Sequence, residues 1–120
     1  MDNSCICQIR DIYKAIVRFE HELDRQFGLN INEGMLLCLL QDTKPMQAKD
    51  IADKMNLTKS NTSKVIASLE KRQYIERQGS NLDYRYRYFR ITEEGLRILE
   101  QIHSDKVCIP EDLRRYVFKP

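Results

Sequence analysis

Apolar residues recur every three to four positions through the first quarter of the chain: Ile6, Ile9, Ile12/Tyr13, Ile16/Val17, Phe19, Leu23 and Phe27. That period places most of them on one stripe of a helix, and Gly28 supplies its stop. At about 22 residues the helix is long for a chain of 120 residues. Its stripe is expected to project beyond the chain's own core and pack against a partner, with Ile9, Ile12, Ile16 and Leu23 as the contact residues. A second helix follows, capped by the side-chain oxygen of Asn32 and ended before Pro45. It carries Met35, Leu36, Leu37, Leu39 and Leu40, and Cys38 among these leucines reads as core. A short third helix runs from about Gln47 to Met55, with Ile51, Ala52 and Met55 inward. Asn56 and Leu57 make a tight turn, asparagine being the non-glycine residue that best tolerates left-handed backbone.

Thr58 caps a fourth helix reaching about Arg72, with Thr62, Val65, Ile66 and Leu69 on its apolar side. The opposite side presents Lys59, Ser60, Asn61, Ser63, Lys64, Ala67 and Ser68, all small, polar or cationic. The period then changes from 3.6 to 2 over residues 74–77 and 86–91, which reads as two strands joined by an exposed tip with Gly79, Ser80, Asn81 and Asp83. Thr92 caps a fifth helix, whose positive N-terminal end suits Glu93 and Glu94. Pro110 and an amphipathic tail with Leu113, Tyr116, Val117 and Phe118 finish the chain. The pattern is mainly α with a small β-hairpin, an α+β arrangement in a single domain.

Composition narrows the classes. With 42% hydrophobic and 32% charged residues, the chain has enough apolar surface for one core. No uninterrupted apolar run approaches the ~18 residues of a membrane span, and neither the start nor the first helix reads as a secretory signal. A soluble cytoplasmic protein with no membrane partner is expected. The cysteines Cys5, Cys7, Cys38 and Cys108 read as reduced thiols. Cys5-x-Cys7 lacks the usual metal-ligand spacing and His21 and His103 stand far apart, so no metal site and no cofactor are implied. Cys5 and Cys7, at a helix start that lowers thiol pKa values, are the candidate redox residues, although idle cysteine is the expected outcome.

Charge distribution adds a direction. Between Gln47 and Thr92 ten lysines and arginines face five acidic residues, leaving +5, whereas the rest of the chain carries −3 and the whole +2. A basic middle of this kind fits a polyanion. A short helix, a tight turn, a second helix with a polar outward face and a basic hairpin together describe a winged helix-turn-helix. The fourth helix has the size of a major groove, and the hairpin arginines Arg85 and Arg87 suit the narrower minor groove. A phosphate loop, a nucleophile elbow and a base–nucleophile pair are all lacking, so an enzyme is not expected. The competing reading is a winged-helix module for protein partners, which would need an exposed apolar patch on the fourth helix.

The segment from Asp83 through Arg85, Ile91 and Thr92 to Gly95 resembles the D-x-R-x5-L-T-x-x-G wing signature of the MarR family of bacterial transcriptional regulators. Residues 45–55 resemble that family's first helix-turn-helix element, and residues 57–72 its recognition helix; the likeness covers roughly residues 29–102. It implies a DNA-binding winged-helix core at 29–92, with dimerisation helices at 1–28 and 93–120. It further implies a homodimeric repressor of pseudo-palindromic double-stranded operators, with Lys59, Ser60, Asn61, Ser63 and Lys64 facing the major groove. Arg85 would be the minor-groove arginine, Asp83 its orienting carboxylate, and Thr92 and Gly95 structural. Gln73 stands where the family often has glycine, at a cost of up to about 1 kcal/mol if that residue is left-handed. Gly34 stands where relatives often carry an aromatic near an effector pocket, so the resemblance assigns no effector. The C-terminal region is shorter than usual, which would shift the dimer contact toward the first helix and the tail.

Overall fold

The computed structural model describes residues 5–42, 44–79 and 87–104. The hairpin tip with Asp83 and Arg85, Cys108 and the tail at 113–118 lie outside these. Seven elements follow in order: α1 (Cys5–Phe27), α2 (Ile31–Gln41), α3 (Ala48–Met55), α4 (Lys59–Lys71), β1 (Ile75–Gln78), β2 (Tyr88–Ile91) and α5 (Glu93–Ser104). None of the described helices is long and apolar enough to cross a membrane. The described residues fall into two compact units, 5–30 with 102–104, and 31–101.

The first unit is built on α1, which stops at Gly28. That residue takes φ 68° and returns its N–H to the Asp24 carbonyl at 2.8 Å. Ala15 and Leu23 are buried along α1, and Ile12 and Ile16 are half-buried. The exposed apolar residues are Ile6 (71% exposed), Ile9 (54%), Tyr13 (65%) and Val17 (42%). The stripe therefore differs from the expected one. Leu23, at 1% exposure, has no surface to offer a partner, and the free face runs through Ile6, Ile9, Tyr13 and Val17. Two apolar stripes lie side by side on this helix, and periodicity alone merges them. Cys5 is exposed and Cys7 half-buried. Side chains two positions apart on a helix do not face each other, so these two cannot close a disulfide between themselves within α1.

The second unit holds Leu36, Leu37 and Leu40 of α2, Ile51 of α3, Val65, Ile66 and Leu69 of α4, Ile75 of β1 and Phe89 of β2 in its core. α2 packs against α3, α4 and β2, and α4 packs against α3 and β1. Helix α2 begins at Ile31, so Asn32 lies inside its first turn and does not precede it. Only the 33, 36, 37 and 40 face of α2 is buried. Cys38 and Met35 are on the opposite side and exposed, against the expectation of a core cysteine. An apolar run along a helix cannot say which of its faces turns inward.

Helices α3 and α4 end in the same way. Asn56 takes φ 55°, its N–H reaches the Asp53 carbonyl at 3.3 Å, and that of Leu57 reaches the Ala52 carbonyl at 3.0 Å. At the end of α4, Gln73 takes φ 65°, while the N–H groups of Gln73 and Tyr74 reach the Glu70 and Leu69 carbonyls at 2.9 and 3.0 Å. Both are Schellman ends, in which one left-handed residue satisfies two orphan carbonyls. The Thr58 side chain caps α4 by accepting the Asn61 N–H at 3.1 Å. β1 and β2 pair antiparallel in the register Ile75–Ile91, Glu76–Arg90, Arg77–Phe89 and Gln78–Tyr88. Met46 adds a third backbone segment by exchanging both hydrogen bonds with Phe89, at 3.0 and 2.8 Å.

Candidate nucleic-acid interface

Helix α4 is amphipathic in the strict sense: Thr62, Val65, Ile66 and Leu69 are buried, and Lys59, Ser60, Asn61, Ser63, Lys64 and Ala67 are exposed. All five residues expected to meet DNA on this helix therefore stand at the surface of one element. Ser68 does not. It is half-buried and donates its hydroxyl to the carboxylate of Glu33, a residue of α2 that is only 4% exposed. Among the described residues, α4 carries no large exposed hydrophobic side chain.

A cleft of about 600 Å³ opens beside α4, toward α3 and the hairpin. Gln47 and Lys49 of the α3 end, Ser63 and Ala67 of α4, and Arg87 and Phe89 of the returning strand line it. Arg87 is half-buried at the base of the hairpin, with Tyr88 exposed next to it. Asp83 and Arg85 lie outside the described residues. The sequence pattern gives Lys49 a place in the basic middle and no role, and only the packing of α3 against α4 brings it to the site.

The structure sorts the +5 of the middle segment by position. Arg77 on β1 pairs with Glu70 of α4 at 2.8 and 3.1 Å and lies over the Phe89 ring, 5.9 Å from its centroid. Arg90 on β2 pairs across the hairpin with Glu76 at 2.6 Å. Lys49, Lys59 and Lys64 enter no ion pair among the described residues. Among the described residues, lysines outside any ion pair thus stand on the helix-turn-helix. The described strands of the hairpin carry paired cations. Such a face can neutralise phosphates, while its serines and asparagine supply donors and acceptors at hydrogen-bond reach of base edges.

The returning strand and α5 are joined by Thr92. Its side-chain oxygen accepts the Gly95 N–H at 3.0 Å, which caps α5. A Cβ at Gly95 would fall 2.2 Å from the Tyr74 carbonyl oxygen and 2.7 Å from Ile91 Cγ1, so only glycine fits. Both residues act on the fold, in agreement with the resemblance.

Two Schellman-ended helices, a polar outward α4 and a paired hairpin define a winged helix-turn-helix. Residues 29–86 match the model of the MarR family. The chain is 29% identical over 93 residues to the HTH-type transcriptional regulator MhqR of Bacillus subtilis, covering 78% of this chain and 64% of that protein. It thus spans just under two thirds of that relative's length. Among solved structures it is similar to apo MarR of Escherichia coli, with a TM-score of 0.74 at 16% identity, covering 99% of this chain and 86% of that one. It is also similar to a mutant MepR of S. aureus bound to an oligodeoxyribonucleotide, with a TM-score of 0.67 at 20% identity and the same coverage. Just under half of the chain thus matches the MarR family model, and the chain shares the fold of the solved MarR and MepR structures.

Proposed function

We propose that this chain is a sequence-specific double-stranded DNA-binding transcriptional regulator that acts as a homodimeric repressor on a pseudo-palindromic operator. The carrying observation is the exposed Lys59, Ser60, Asn61, Ser63 and Lys64 face of α4, set beside a cleft that holds Lys49 and Arg87. In this reading α4 enters the major groove, and the hairpin with Arg85, oriented by Asp83, enters the minor groove. The apolar face of Ile6, Ile9, Tyr13 and Val17 on α1 is the surface that a second copy of the chain would cover. The protein-docking alternative is disfavoured because α4 lacks the apolar patch it would require.

The test is to sequence fragments retained by the purified protein from a random duplex pool and to titrate the best of them at several salt concentrations. An enriched palindrome-like motif is expected, and affinity should fall about 10³–10⁵-fold between 50 and 200 mM salt if 6–10 phosphates are neutralised. Light scattering should give twice the 14.3 kDa of one chain. A chain that enriches no motif and shows a flat salt response is not a DNA reader.

A further inference from the structure

Helix α4 is held on both flanks by polar bonds from two different elements. Leu69 points straight into the core, with 0% exposure. Its chain neighbours Ser68 and Glu70 stand about 100° to either side of it around the helix axis. Ser68 donates to the buried Glu33 carboxylate of α2, and Glu70 accepts from Arg77 of β1. Apolar packing by Thr62, Val65, Ile66 and Leu69 is non-directional and holds the helix in place without strongly fixing its roll. Hydrogen bonds are directional, and a buried carboxylate is costly to leave without its donors. A roll that improved one flank would stretch the other.

We propose that Glu33, acting through Ser68, sets the roll of α4 and is a positioning residue for base reading. The proposal rests on the DNA-binding function proposed above. A roll of about 15° carries a group about 6 Å from the helix axis through about 1.5 Å. That displacement exceeds the few tenths of an ångström a base-edge hydrogen bond tolerates. Flexible lysines following phosphates absorb it. Loss of the Glu33–Ser68 bond therefore lowers discrimination between sequences more than it lowers affinity for DNA in general.

The test compares a duplex selected by the wild-type protein with a scrambled duplex of the same composition. Ser68→Ala should reduce the ratio of the two affinities about tenfold for each half-site, the cost of one misplaced base contact, with scrambled-duplex affinity nearly unchanged. Glu33→Gln keeps an acceptor oxygen in the same place and should retain most of the ratio. Glu33→Asp keeps the charge but withdraws the acceptor by one methylene, and should lose the ratio as Ser68→Ala does. Melting curves establish which variants are folded at the assay temperature, and Glu33→Asp decides the matter if Ser68→Ala is not. A folded Ser68→Ala or Glu33→Asp variant that discriminates like wild type overturns the proposal alone, as does an equal loss on both duplexes. A wild-type protein that prefers no duplex overturns the DNA reading, and the proposal with it.

Discussion

The side-chain hydroxyl of Thr92 donates to the backbone carbonyl of Gln73 at 2.7 Å, tying the start of α5 to the end of α4 nineteen residues earlier. The Thr92 N–H adds a second bond, to the Tyr74 carbonyl at 3.0 Å. Gln73 is the left-handed residue of that helix end, with φ 65°, so the conformation that disfavours a side chain there is held from both sides. It must be left-handed for Tyr74 to close on Leu69, and its carbonyl must face Thr92.

Gln73→Gly should therefore stabilise the fold. Relief of the left-handed backbone is worth up to about 1 kcal/mol, partly offset by the greater freedom of glycine in the unfolded chain. Thermal melts should show a gain of about 2–4 °C, whereas Gln73→Ala should show none. DNA affinity should not change, since no base-reading residue moves.

Gly95→Ala should be strongly destabilising. The new methyl would meet the Tyr74 carbonyl oxygen at 2.2 Å, a backbone atom fixed by the Thr92 N–H and unable to step aside. Overpacking of this kind costs at least about 2 kcal/mol. Urea titration measures it, and a loss below about 0.5 kcal/mol would mean that the junction between β2 and α5 is looser than described.

Lys64→Ala and Arg85→Ala should separate two kinds of DNA contact. Lys64, exposed on α4 without an ion pair among the described residues, should act on phosphate, so its removal should weaken selected and scrambled duplexes alike. Arg85, if it reads the minor groove, should cost about 1–3 kcal/mol per half-site on the selected duplex and little on the scrambled one. Paired titrations of both variants decide this. An Arg85→Ala variant with unchanged operator affinity would remove the wing from the interface.

Cys38 should be accessible but sluggish. It is exposed on α2, yet partial burial of the thiol, and secondarily the nearby Asp42 carboxylate, push its pKa above the ordinary thiol value. Both causes disfavour the thiolate, which is the reacting species. In a variant with Cys5, Cys7 and Cys108 changed to serine, alkylation should lag a model thiol at pH 8 and keep rising where the model has levelled off. Adding Asp42→Asn should bring the profile part of the way back.

Except at the start of α2, where Asn32 lies inside the helix, the caps and turns are legible in the order of residues alone. Thr58, Thr92 and the left-handed Asn56 stand where the residue pattern puts them, because each satisfies backbone groups within four positions along the chain. The same holds for the change of period that marks the hairpin and for the inward Thr62, Val65, Ile66 and Leu69 of α4. The conformation of Gln73 is conditional on a helix end that lacks its usual glycine, and the backbone supplies the condition.

What no local pattern contains is which surfaces meet. The leucine-rich stretch of α2 leaves its inward face open, and packing buries Glu33 while leaving Cys38 outside. In the linear pattern Arg77 and Arg90 are free charges and Ser68 points outward. The contact of β1 with α4 and β2 neutralises the arginines, and α2 turns Ser68 inward through a pairing across 35 positions. Hydrogen bonds that close within a turn are selected by neighbouring residue types, and those types can be read directly. Bonds between distant residues depend on the orientation in which whole elements bury their apolar sides, and that orientation is a property of the assembled core.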